Sequence, residues 1–451
     1  MTRSFLIVST DGIANGGSTI PNDGFYFGPD TSGTKTGGIQ EALNSISGGG
    51  TVFVKASRSG KIITPSTNIF STATYQNLVF ESGCYIQPTS AFSPSETVSF
   101  AFGTPLLSVG VGSAGQVYHH CQLIGHGTVI DLGNISTSAS NKPSAITSFG
   151  AGQSVVSGGP YMIKIDGFEI INVVTSPIVV GNSNGAGYNN TYVSAARQIE
   201  ISNIYAHQWQ AGSGNYSNGF QSNGSAWLVH IHDCISDMSA YSAGYDYSNL
   251  FIYGNQGDCR YWLIERCVFI GNGNSGQVIE LQGAANSPST VVTNENIRLI
   301  DCVIVSGASS GAPLAGSGGA YIDDTNGGSN AYITNVTFED CQWINTGLTY
   351  LPYKSLFGYV RFINGAAGAF SGTLTGRSPG QSVSIKPSTG TFNYTNNDGF
   401  DEDVIVSGGT VSAIYIDSIV TGLTTGSFML KPLHEISVTN TSVPAMTKIA
   451  A

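Results

Sequence analysis

Val229-His230-Ile231-His232-Asp233-Cys234-Ile235, Trp262-Leu263-Ile264-Glu265-Arg266-Cys267-Val268, Ile297-Arg298-Leu299-Ile300-Asp301-Cys302-Val303 and Val336-Thr337-Phe338-Glu339-Asp340-Cys341-Gln342 are four versions of one phrase, all between Trp227 and Asn345. Their cysteines are 33, 35 and 39 positions apart, and self-similarity at such a period is the signature of a solenoid. Each copy alternates β-branched or aromatic residues, turns at a polar residue just before the cysteine, and resumes with a short apolar run. That pattern predicts strand, bend, strand, with no helical spacing in the unit.

Ile201-Ser202-Asn203-Ile204 and Ile165-Asp166-Gly167-Phe168 extend the phrase upstream. One inward file is therefore Phe168, Ile204, Cys234, Cys267, Cys302 and Cys341. The residue before it, at the bend, is Gly167, Asn203, Asp233, Arg266, Asp301 or Asp340, mostly types that tolerate left-handed backbone. Corresponding strands stacked in parallel about 4.8 Å apart explain why these residues recur in register while the loops vary in length. The fold class expected is all-β: a right-handed parallel β-helix.

A solenoid grows without enlarging a globular core, so 451 residues do not imply several domains. With 59 glycines and 10% charged residues the chain could be disordered, but 41% hydrophobic residues in regular alternation argue otherwise. A net charge of -11 with 17 Lys plus Arg leaves no basic stripe for phosphates, which excludes nucleic acid as the expected partner. No run approaches a transmembrane span, and Phe5 to Val8 is too short an apolar core for a Sec-type leader. Outside a cell the protein would arrive as a virion component does, or with a leader not included here. Seven cysteines without a CxxC pair give neither a zinc knuckle nor a complete disulfide framework, and four of them read as small buried apolar residues.

Residues 1–35, rich in Gly, Asn, Asp and Pro, read as an N-terminal arm. Apolar residues at Ile39, Ala42, Leu43 and Ile46 give the one amphipathic helix. Gly48-Gly49-Gly50-Thr51-Val52-Phe53-Val54 follows it. Because these glycines close the helix instead of opening it, they are not a phosphate loop; the helix is expected to cap the open end of the solenoid. Helix, glycine stop and strand, with Leu78-Val79-Phe80 and Leu123-Ile124-Gly125-His126-Gly127-Thr128-Val129-Ile130-Asp131, resemble the opening of the pectate-lyase-like superfamily, which includes phage tailspikes and polysaccharide depolymerases. The resemblance covers roughly residues 36–370, the expected β-helix. It implies the fold and leaves activity open, since lyases, hydrolases, epimerases and structural proteins share it. Gly125-His126-Gly127 is similar to a polygalacturonase motif, but the Asp323-Asp324 pair stands far downstream of it instead of before it, so His126 reads as a turn residue.

From residue 371 to 451 short strands with frequent turns predict a small C-terminal β-sandwich-like domain. The phrase from Asp403 to Met446 resembles a domain of viral and archaeal surface proteins, which implies termination, attachment or self-association, with a homotrimer favoured.

Candidate chemistry lies on another strand of the coil, seen as Pro177-Ile178-Val179-Val180-Gly181, Phe220-Gln221-Ser222-Asn223, Phe251-Ile252-Tyr253-Gly254, Glu280-Leu281-Gln282-Gly283 and Asp323-Asp324-Thr325-Asn326. Aligning the terminal Gly or Asn puts Ile178, Phe220, Phe251, Glu280 and Asp323 in one file and Val180, Ser222, Tyr253, Gln282 and Thr325 in a second on the same face, with Val179, Ile252 and Leu281 inward. Gln221 and Asp324 would then need partners inside. In this register Glu280 and Asp323 are adjacent acids about 5 Å apart at their roots, beside aromatic faces for a sugar ring, which suits glycosidic hydrolysis with Asp324 and Asp246 in support. The alternatives are solvated surface acids, or calcium held by Asp323-Asp324-Thr325-Asn326 as the one cofactor to consider. Loops bearing Trp209, Tyr216, Tyr245 and Tyr247 supply further aromatics for polysaccharide contact. With no Lys or Arg in the file, hydrolysis is preferred to lyase elimination. The competing function is a non-catalytic tail, capsid or filament component.

Overall fold

The computed structural model describes residues 5–12, 26–93, 105–112, 116–135, 144–151, 158–173, 175–183, 195–209, 217–240, 247–255, 257–271, 277–284, 292–305, 320–323, 331–344, 347–351, 360–364, 369–371, 382–396, 402–431 and 434–450. Of the described residues 60% are strand and 2% helix, and the large sheets are parallel, as a right-handed β-helix requires. One sheet stacks the repeated phrases: Tyr161–Ile171, Ala196–His207, Ala226–His232, Cys259–Glu265, Val292–Ile300 and Ala331–Glu339 pair in sequence, each with the next. A second sheet has ten strands, including Ile178–Ser183, Ser217–Asn223, Tyr247–Asn255, Gln277–Ala284 and Ala320–Asp323 in successive coils.

The inward file is as expected. Phe168 pairs with Ile204, and Cys234, Cys267, Cys302 and Cys341 are buried free thiols on consecutive coils. Each sulfur has two carbonyls within reach of its one proton, that of the residue two before it and one on the preceding coil; Cys302 Sγ lies 3.3 Å from Ile300 O and 3.6 Å from Ile264 O. The bend before the file is left-handed in every coil: Gly167, Asn203, Asp233, Arg266, Asp301 and Asp340 have φ between 49° and 79°. At the coil before these, exposed His126 (φ 49°) takes the same turn. Gly125 beside it is fixed by space, since a Cβ there would stand 2.4 Å from Gly167 O.

A second stack of left-handed residues opens the same strands: Tyr75, His120, Met162, Gln198, Leu228, Tyr261, Asn296 and Asn335. Here, apart from Asn296 and Asn335, the residue types do not suit the backbone. Tyr75, Met162, Leu228 and Tyr261 are 41–56% exposed, and a bulky residue in this region costs roughly 1 kcal/mol that Asn largely avoids. Leu228→Asn should therefore raise the melting temperature or leave it unchanged in a thermal scan; a clear fall would show that the leucine makes a contact worth more than its strain.

The helix Ile39–Ser45 buries Ile39, Ala42 and Leu43 against the first rungs. Gln76 Nε2 and Thr72 Oγ1 both donate to Leu43 O, at 2.8 and 3.0 Å, and so close its last turn. The strand Phe5–Ser9, expected within an arm, is instead a rung of the main sheet. It pairs in parallel with Gly50–Lys55 and buries Leu6 and Val8 in the solenoid core.

Two antiparallel four-stranded sheets make up the C-terminal part: Ser382–Ile385, Ala445–Ala450, Glu402–Ser407 and Gly426–Leu430 in one, Gly390–Thr395, Glu435–Ser442, Thr410–Ile416 and Ile419–Val420 in the other. They enclose a core of their own, with Val404, Val406, Ile414, Leu430, Ile436 and Val438 at 0–1% exposure. Within it Lys448 Nζ lies 2.8 Å from the fully buried Glu402 carboxylate, which also accepts from Tyr394 OH at 2.6 Å.

Candidate active site

The ten-stranded sheet corrects the register expected from sequence. Ile178 pairs with Phe220, Phe220 with Leu250, and Leu250 with Ile279, and this apolar file belongs to the core. Phe220 is fully buried there and edge-on to Phe269, so it is not available to substrate. The neighbouring file is Val179, Gln221, Phe251, Glu280 and Tyr321. Val179, expected inward, thus shares a file with Glu280, whereas Ile252 and Leu281 are in the core as expected. Beyond it run Asn223, Tyr253, Gln282 and Asp323.

Glu280 consequently stands opposite Tyr321, and Asp323 opposite Gln282. The two acids are offset by two positions along the strand instead of facing each other. One coil step of about 4.8 Å combined with two residues of about 3.3 Å each puts their Cα atoms roughly 8 Å apart.

Around Glu280 the expected constellation is in part assembled. Phe251 is its partner on the preceding coil, and the Phe251 and Tyr253 rings stack at 5.1 Å with planes 12° apart. Gln282 follows one strand repeat on and is half-buried, as Glu280 and Tyr253 are. Ser248 Oγ donates to Glu280 Oε2 at 2.7 Å, a partner that sequence reasoning did not find. Gln221 was expected to point inward; it lies instead in the Glu280 file, 1% exposed, with Oε1 accepting from Ser176 Oγ at 2.8 Å. Trp209 is 5% exposed within the solenoid core, so it offers no ring face to a ligand. Tyr247 opens its strand opposite Ser217. Tyr216, Tyr245, Asp246 and Asp324 lie outside the described residues. So does the rest of the candidate calcium run after Asp323, and among the described residues no group of three or more His, Cys, Asp and Glu could hold a metal.

The arginines that look scattered in sequence are organised on the other sheet. Arg197 lies over the Tyr161 ring at 4.3 Å and Arg260 over Trp227 at 4.8 Å, while Arg260 also pairs with Asp258 and Glu295. Arg298 pairs with Glu339 at 2.6 Å. Between them Lys164 bonds Glu200, His230 lies 2.8 Å from Glu265, and Arg266 forks onto Asp233 at 2.8 and 2.9 Å. The fork and the adjacent His232 hold the Asp233 carboxyl well below the usual range, and the Lys164 bond lowers Glu200. Apart from Arg260–Asp258, whose carboxylate is buried, these pairs are partly exposed and contribute little each to stability. His230 and His232 belong to the repeat, and their spacing of two on the strand Ala226–His232 is the sequence signal that places both on one face.

This is a right-handed parallel β-helix with a stacked aromatic pair and a hydrogen-bonded carboxylate on the outer side of one sheet. No family model matches the chain, and no curated protein does. Among solved structures it is similar to the polygalacturonase from Erwinia carotovora ssp. carotovora, at 11% identity and TM-score 0.40 over 76% of this chain and 99% of that one. It is also similar to the iota-carrageenase of family GH82 from A. fortis, at 14% identity and TM-score 0.38 over 68% of this chain; the match spans about half of the carrageenase, 55%. A third is the tailspike protein of E. coli bacteriophage HK620 in complex with pentasaccharide, at 14% identity and TM-score 0.28, covering 95% of this chain and 91% of that one. Among the described residues no helix is long and apolar enough to cross a membrane.

Proposed function

We propose that this protein binds polysaccharide along the outer side of its ten-stranded sheet and hydrolyses it, acting outside the cell or on a virion surface. The observation that carries this is Glu280, half-buried, held by Ser248 at 2.7 Å and flanked by the stacked Phe251 and Tyr253 rings. Tyr253, half-buried and backed by the buried Phe251 ring, suits the apolar face of a sugar. Glu280 and Asp323 are the catalytic carboxylates, with Asp324 and Asp246 in support. A Cα offset of roughly 8 Å, against about 4.8 Å for directly facing acids, is compatible with the wider spacing of carboxyl groups in inverting enzymes. Among the described residues the Glu280 and Gln282 files contain no Lys or Arg, which supports hydrolysis over elimination.

Reducing-end release against a polysaccharide panel, with ultraviolet absorbance followed for unsaturated product, tests the reading. New reducing ends without that absorbance support it. Absorbing product would establish a lyase, and silence on glycans that the protein binds would favour a non-catalytic adhesive or spacer role.

The same proposal gives the C-terminal sandwich the task of joining chains into a homo-oligomer, with a trimer favoured. It has a core distinct from that of the solenoid, so it can serve as a separate joint. Removing residues 371–451 should lower the particle to one chain by light scattering; unchanged stoichiometry would place the joint elsewhere.

A further inference from the structure

We infer that Gln221 is a glycan-positioning residue, presenting its side-chain amide to a sugar hydroxyl at the covered end of the Glu280 file. This rests on the polysaccharide reading above and deepens it. Gln221 is 1% exposed, and its Nε2 has no hydrogen-bond partner among the described residues, while Oε1 is engaged by Ser176. Because a hydroxyl can donate or accept, turning the amide over would leave the other end unpartnered instead. A buried polar atom without a partner is a standing cost that folding alone does not justify.

Its position gives that cost a use. Gln221 pairs with Phe251, and Phe251 with Glu280. Cover over the file thins in that order, from 1% at Gln221 to 7% at Phe251 and to a half-buried Glu280. A glycan held at Glu280 that extends across Phe251 reaches the Gln221 coil next. Asn249 also keeps Nδ2 unpartnered among the described residues, but its Oδ1 takes the Ser236 hydroxyl at 2.6 Å, which ties that amide to the strand Ile235–Asp237.

The test compares wild type, Gln221→Met and Ser176→Ala on an array of neutral and uronate-containing oligosaccharides, with melting temperatures measured without glycan. Methionine keeps the length and volume of the side chain and removes the amide. Gln221→Met should bind about three- to tenfold more weakly, the worth of one uncharged hydrogen bond, and raise KM with kcat retained. Its melting temperature should change little, because the removal of a half-satisfied buried amide offsets the partner that the buried Ser176 hydroxyl loses. Ser176→Ala, which keeps the amide, should retain most of the binding. Wild-type affinity in Gln221→Met overturns the inference and leaves the polysaccharide reading intact. Equal losses of binding and melting temperature in both variants also overturn it, by assigning Gln221 a purely structural bond to Ser176. A wild-type protein that binds nothing on the array overturns the polysaccharide reading itself.

Discussion

Glu280→Gln should lower kcat on the cleaved polysaccharide by at least about a hundredfold, the usual contribution of a positioned acid or base. Asp323→Asn should do the same. Neither change should move the melting temperature much, because Glu280 is half-buried and glutamine can still accept from Ser248. Loss of turnover with retained glycan binding is the expected pair of results, read by reducing-end release and by calorimetric titration with the same polysaccharide. The stereochemistry of the first product, followed by NMR, separates the two geometries: the two-position offset predicts inversion, whereas adjacent acids would give retention. Full activity in either variant would remove these carboxylates from the reaction.

The largest stability effect is expected far from that sheet. Glu402→Gln leaves Lys448, 11% exposed at its side chain, without its charge partner in the sandwich core. Removing one member of a buried pair costs about 3–5 kcal/mol, and for a unit this small that should lower its transition by more than about 10 °C. The double variant Glu402→Gln with Lys448→Met should recover much of the loss, since the pair as a whole is worth far less than either half alone. Calorimetry of the full chain reads both. An unshifted transition in the single variant would mean that water already reaches the pair.

The repeat was legible because its constraints are local. Buried positions in register must be small or apolar, and a left-handed bend favours Gly, Asn and Asp, so the cysteine file and the residue before it stand out without any structure. Arg266 at such a bend (φ 49°) shows that neighbouring coils can impose the turn on an unsuited residue. The second left-handed stack went unseen for the same reason, since Tyr75, Met162 and Leu228 are not types that announce it.

The site was legible only in part, and register is the cause. Aligning strands on their terminal Gly or Asn is right between Phe251 and Glu280, where Gly254 does pair with Gly283. It is off by one at Asn223, which pairs with Tyr253, and a slip of one residue turns a strand over. Phe220 accordingly lies in the core and Gln221 in the Glu280 file. It is off by two at Asp323, which preserves the face but separates the acids along the strand. Apolar residues on both sides of this sheet, such as Val179 outside and Val180 inside, remove the alternation that would have fixed the choice.

The file of cysteines also makes the solenoid its own reporter. Contact with Cys267 and burial push the Cys302 thiol up to about 12, and contact with Cys234 raises Cys267 well above the ordinary value. Since the thiolate is the reactive form, these sulfurs are inert while their coils are closed. A rung that opens releases its own thiol to alkylation at a near-ordinary rate. Four sulfurs on consecutive rungs can thus time-stamp the order in which the column unzips, with no label added to the chain.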